Sequence, residues 1–80
     1  MAAKAYVLLR TSPGLTQAVA RSLRANRSIR SVEMITGPYD LLALIEGETA
    51  NHILTAVMQH IRPAAGIRET LTCLVVPEQL

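Results

Sequence analysis

Tryptophan and phenylalanine are absent from this 80-residue chain, and tyrosine occurs only twice, at Tyr6 and Tyr39. A core must therefore be assembled from Leu, Ile, Val, Ala and Met. Hydrophobic residues nevertheless make up 50% of the sequence, which excludes a disordered chain. Cysteine occurs once, as Cys73, so no intramolecular disulfide can form, and there is no Cys-x-x-Cys pair or Cys/His ligand set. We expect neither a metal nor a cofactor. Apolar runs such as Leu41 to Ile45 fall far short of the ~20 residues that span a bilayer, and the first four residues, MAAK, lack a signal-peptide pattern. The expectation is a cytoplasmic protein with no membrane contact.

Charge is also scarce. Seven Arg and one Lys against six acidic residues leave a net charge of +2, too small a bias to imply nucleic-acid binding without a recognition element. Glycine and proline number four each, and all eight mark boundaries between patterned segments. With one such set of segments and no linker or low-complexity stretch, residues 1–80 read as a single domain. A domain this small buries only about 60% of the surface of its unfolded chain, so help from an oligomeric partner is expected.

Residues 3 to 11 hold a short β-forming stretch stopped by Ser12, Pro13 and Gly14, which predicts a strand. From Leu15 the spacing changes: Leu15, Ala18, Val19 and Leu23 fall at i, i+3, i+4 and i+8, predicting an amphipathic helix to about Asn26. Ile29 to Thr36 and Leu41 to Glu46 predict two strands around the turn at Gly37 to Asp40. A second helix is predicted from a Thr49 cap, its face formed by Ala50, Ile53, Leu54, Val57, Met58 and Ile61, until Pro63 ends it. Ile67 to Val76 is the last predicted strand, closed by Pro77.

The order is βαββαβ, the split arrangement of an α+β ferredoxin-like fold: a four-stranded antiparallel sheet with two helices on one face. The first, third and last strands are apolar on both faces, and two helices can cover only one. The uncovered face predicts an exposed apolar patch of the kind that marks an interface, most simply a dimer of facing sheets.

Several segments resemble the Lrp/AsnC regulators in their C-terminal ligand-binding (RAM) domain. They are AYVLLRT at 5–11 followed by Pro13 and Gly14, the run Ile29, Val32, Ile35-to-Asp40 ending in TGPYD, GIRETLT at 66–72, and LVV at 74–76. The TGPYD stretch is the most specific. The resemblance implies a dimeric α/β-barrel-type assembly, extended in many members to a tetramer of dimers, with amino-acid effectors bound between dimers. Full-length members carry a helix-turn-helix domain ahead of this region, whereas the first strand here begins within a few residues of Met1. Specific DNA binding by this chain is therefore not expected; hetero-assembly with full-length Lrp/AsnC regulators is. Ala65-Gly66 stands where many members have Pro-Gly.

An α-amino acid needs an anion for its ammonium, backbone N–H groups for its carboxylate and a shaped pocket. The turn at Gly37, Tyr39, Asp40 and Leu41 can supply the first two, with Asp40 as the anion and Pro38 stiffening the loop. In the family, effectors contact this loop and last-strand threonines, which correspond to Thr70 and Thr72. Two apart in a strand, those share one face. Taken singly, each residue has a plainer role: Gly37 as a turn glycine, Asp40 as a turn cap, Thr70 and Thr72 as β-formers.

Other features carry less. Arg21, Arg24, Arg27 and Arg30 recur every third residue, a spacing that drifts around a helix and reads as a solvated face. His52 and His60 lie about 80° apart around the second helix and cannot readily share a metal. Cys73 reads as a small hydrophobe of the sheet. No Ser/His/Asp set, catalytic carboxylate pair or phosphate loop is present, so the reading is not an enzyme but an effector-binding and oligomerisation module. The alternatives are a small dimeric α/β-barrel enzyme and a purely structural oligomerisation domain.

Overall fold

The structure is a computed structural model and describes residues 2–78. In chain order the elements are β1 (Ala3–Thr11), α1 (Thr16–Arg24), β2 (Ile29–Met34), β3 (Leu41–Gly47), α2 (Ala50–Ala56), a π-helical turn (Val57–Ile61) that continues α2, and β4 (Ile67–Leu74). The strands form one sheet in the order β2-β3-β1-β4, with every neighbouring pair antiparallel. This is the expected ferredoxin-like arrangement. It places β1 and β3, two of the three strands apolar on both sides, in the centre, and the third, β4, at an edge.

Alternation decides which side chains meet the helices. Ala5, Val7 and Leu9 of β1 and Leu41, Ala43 and Ile45 of β3 are all buried beneath Val19, Ala20 and Leu23 of α1 and Ile53, Val57 and Ile61 of α2 and its continuation. The other parity faces away. Register pairs Leu8 with Leu42 and Leu71, and Tyr6 with Leu44 and Cys73, so two apolar rows cross three strands on the uncovered face. Tyr6 is 39% exposed and Leu71 45%.

The ends of the elements differ from expectation for local reasons. Leu15 is the N-cap of α1 rather than its first turn. The helix stops at Arg24 because Asn26 turns to accept the Ser28 N–H on its side-chain oxygen at 2.9 Å. Arg21 and Arg24 in the last turn oppose the macrodipole, and Arg24 does more, donating to the Val32 carbonyl of β2 at 2.8 Å. The Thr49 cap is present, its hydroxyl accepting the His52 N–H at 3.1 Å. Beyond Ala56 the helix widens: the Arg62 N–H bonds the Val57 carbonyl, five residues back, at 2.9 Å. Pro63, with no N–H, ends the run. β2 ends at Met34 rather than Thr36 because the Ile35 N–H closes the turn onto the Asp40 carbonyl at 2.9 Å. β4 ends at Leu74, although the Val75 N–H still reaches the Lys4 carbonyl at 2.9 Å.

No helix among the described residues is long and apolar enough to cross a membrane.

Candidate functional site

Three elements end together at one edge of the sheet: β1 at Arg10 and Thr11, β4 at its start, and the β2–β3 turn at Gly37 to Asp40. Between them lies an open cleft of about 560 Å3 lined by Arg10, Thr11, Gly37, Pro38, Asp40, Arg68 and Glu69.

The turn is held there by Asp40. Its N–H donates to the Leu9 carbonyl at 2.8 Å, and its Oδ2 accepts the Thr11 N–H at 2.8 Å and the Thr11 hydroxyl at 3.3 Å. Thr11, the one buried polar residue among those described, also bonds the Thr16 hydroxyl at the start of α1. Asp40 thus ties the turn to the end of β1, while α1 is tied to the same threonine. Gly37 adopts φ +119°, a backbone shape that disfavours any side chain, and a Cβ there would meet nothing within 4 Å. Its backbone faces open space, available to a ligand.

A β-bulge delivers the cations. Arg10 pairs with Glu69 across the sheet, but Thr11 pairs with Ile67, so Arg68 has no partner on β1. Such an extra residue bends the strand and re-aims its side chain, and Arg68 comes to line the cleft. The Arg10 Nε lies 3.0 Å from the Glu69 Oε1, and its guanidinium sits 5.7 Å from the centre of the Tyr39 ring. Arg10 is therefore already compensated. Arg68 has no carboxylate within ion-pair distance among the described residues.

Of the residues singled out in the sequence, Gly37 and Asp40 line this cleft and Tyr39 flanks it. Leu41 is fully buried in the core, with its side chain away from the cleft. Thr70 and Thr72 share a face, as expected, but register places them opposite Leu9 and Val7 on the helix side. There they line a separate groove of about 380 Å3 with Leu54, Val57, Met58 and Arg62. Within one protomer the structure therefore does not bring them to the turn. Sequence reasoning missed Arg10, Thr11, Arg68 and Glu69. Arg10 and Glu69 were recoverable by pairing Leu8 with Leu71 and counting outward; Arg68 was not, because a bulge breaks that count. His52, His60 and Cys73 are exposed, and no metal-holding group of His, Cys, Asp and Glu occurs among the described residues.

Comparison with known proteins fits this architecture. The sequence model described as the Lrp/AsnC ligand binding domain matches residues 4–78. The homocitrate synthase of Saccharolobus solfataricus is 34% identical over 61 residues, 76% of this chain but only 13% of that enzyme's length. The crystal structure of TTHA0845 from Thermus thermophilus superposes with a TM-score of 0.89 at 28% identity, covering 98% of each chain. A transcriptional regulator from Neisseria meningitidis, NMB0573, solved as a complex with L-Met, has the same fold over 95% of this chain and 51% of its own, with a TM-score of 0.83 at 18% identity. The matched family is a regulatory, ligand-binding one rather than a family of enzymes. From the βαββαβ sheet, the turn at Gly37 to Asp40 and a match over nearly its whole length, the chain belongs to the Lrp/AsnC ligand-binding domain family.

Proposed function

We propose that this chain is an amino-acid-sensing assembly module, binding a free α-amino acid at the sheet-edge cleft and pairing with a second copy through its uncovered sheet face. The observation that carries the reading is the pairing of opposite charges across one small opening. Arg68 offers a cation with no carboxylate in ion-pair distance among the described residues, Asp40 an anion fixed by Thr11, and Gly37 an open stretch of backbone. An amino acid's ammonium suits Asp40, and its carboxylate suits the backbone of the turn together with a guanidinium. That the Neisseria regulator binds L-Met supports the ligand class.

The rows Leu42–Leu8–Leu71 and Leu44–Tyr6–Cys73 support the dimer, since an apolar patch rimmed by the Arg10–Glu69 and Arg30–Glu46 pairs is suited to a like surface. Assembly into a tetramer of dimers would set Thr70 and Thr72 of one dimer near the turn of another. The module acts through other proteins, either full-length regulators of the family or a metabolic enzyme, and makes no specific contact with DNA. The match to a stretch of homocitrate synthase favours including the enzyme partner. A thermal-shift screen against the amino acids tests the reading, and a purely structural oligomerisation domain would respond to none of them.

A further inference from the structure

Resting on the amino-acid-binding and assembly reading above, we infer that the effector's side chain leaves the cleft and lies in the groove beside Thr70 and Thr72 of a facing dimer, so that the assembled site selects leucine, isoleucine or methionine over polar amino acids. The cleft is occupied by the effector's head. Asp40 takes the ammonium, and the turn backbone with Arg68 takes the carboxylate, two groups that every α-amino acid carries. Arg10 and Glu69 hold each other, 3.0 Å apart. Apart from Pro38 the cleft offers no apolar wall to a side chain. Discrimination therefore falls to the groove, which supplies Leu54, Val57 and Met58 beside the two threonines.

Two observations make this groove a subsite. Leu54 is 40% exposed and Met58 63%, so two large apolar side chains face water in a single protomer and gain from any apolar group that covers them. The helix also widens into its π turn here, with Val57 and Met58 as the first two residues of the turn, and such widening recurs at functional sites. An aliphatic or thioether side chain buries apolar surface in the groove, and the unbranched Met58 can adapt to either shape. A serine or asparagine side chain gains little such burial and exchanges its water for the hydroxyls of Thr70 and Thr72, a near-even trade. Arg62, the groove's exposed cation, repels a lysine or arginine side chain. With aspartate or glutamate it forms an exposed pair, which adds little.

The test is calorimetric titration of the full chain with L-leucine, L-isoleucine and L-methionine against L-asparagine, L-serine and L-aspartate, with L-alanine as a probe of the head alone and sedimentation run in parallel. The apolar set should bind at least about tenfold tighter, on the order of 1.4 kcal/mol, to a species larger than the dimer. In Met58→Gln, and separately in Leu54→Gln, that ratio should collapse while affinity for L-alanine is unchanged; Met58→Leu, which keeps the apolar wall, should preserve the rank order. Equal or tighter binding of the polar set overturns the inference, as do glutamine variants that keep wild-type selectivity, or the same preference in protein no larger than a dimer. If none of these amino acids binds, L-alanine included, the amino-acid-binding reading itself fails, an outcome distinct from a reversed preference.

Discussion

Asp40 and Thr11 lie 29 residues apart, and one carboxylate oxygen of Asp40 accepts both the backbone N–H and the hydroxyl of Thr11. The bond joins the β2–β3 turn to the end of β1, and it makes the anion of the proposed site a structural clamp as well. The two roles are separable by substitution. Asp40→Ala leaves the partly buried Thr11 N–H without its acceptor, which costs about 1–3 kcal/mol and lowers the melting temperature by roughly 4–8 °C for each kcal/mol. Asp40→Asn keeps an acceptor for Thr11 and should melt within a few degrees of wild type. It loses the charge offered to an ammonium, so affinity for the best amino acid should fall by about 10- to 150-fold. Scanning calorimetry and titration of both variants check this; an Asp40→Asn protein that binds as wild type leaves Asp40 a clamp alone.

Gly66 should be the least replaceable of the turn glycines. It adopts φ +88°, and a Cβ there would lie 2.9 Å from the Val19 Cγ2 and 3.4 Å from the Leu15 Cδ1, where α1 packs beside the start of β4. Gly66→Ala combines backbone strain with a clash and should cost about 1–3 kcal/mol or more. Gly37→Ala meets no neighbour and should cost less in stability while weakening ligand binding at the turn. Chemical denaturation of the two variants, compared at equal protein concentration, gives the order.

The uncovered face predicts an assembly. Wild-type protein should sediment as a dimer or larger species at micromolar concentration, and Leu71→Asp, which places a charge in the row with Leu8 and Leu42, should shift it to monomer. Burial of a leucine is worth about 1.5–3 kcal/mol, and a dimer is further stabilised by mass action, so the variant should also melt lower. A wild-type chain that sediments as a well-folded monomer contradicts the prediction.

Elements whose cause is local were legible in the sequence. The alternation of Ala5, Val7 and Leu9 and the stop at Pro13 locate β1, and the Thr49 hydroxyl starts α2 where its spacing from His52 says it should. The π turn at Val57–Ile61 was not legible, because the apolar spacing of Val57 and Ile61 reads the same in an α-helix. For the site, the turn residues were legible because glycine and aspartate carry their own backbone chemistry. That Thr70 and Thr72 share a face follows from period two, but which face they share depends on the pairing of β4 with β1. Arg68 was hidden for a stronger reason: its position in the cleft comes from a bulge, and nothing in the composition of residues 67–69 announces one.

The most direct measurement is the melting temperature of the intact chain against each of the twenty amino acids in turn. A ligand that binds only the native state at a hundred times its Kd adds about 2.7 kcal/mol of stability, enough to raise the melting temperature of a domain this size by roughly ten degrees or more. The account predicts a saturable rise with at least one amino acid, lost in Asp40→Asn. A flat response to all twenty at millimolar concentration, from protein shown to be folded and assembled, would contradict it and leave a domain that only oligomerises.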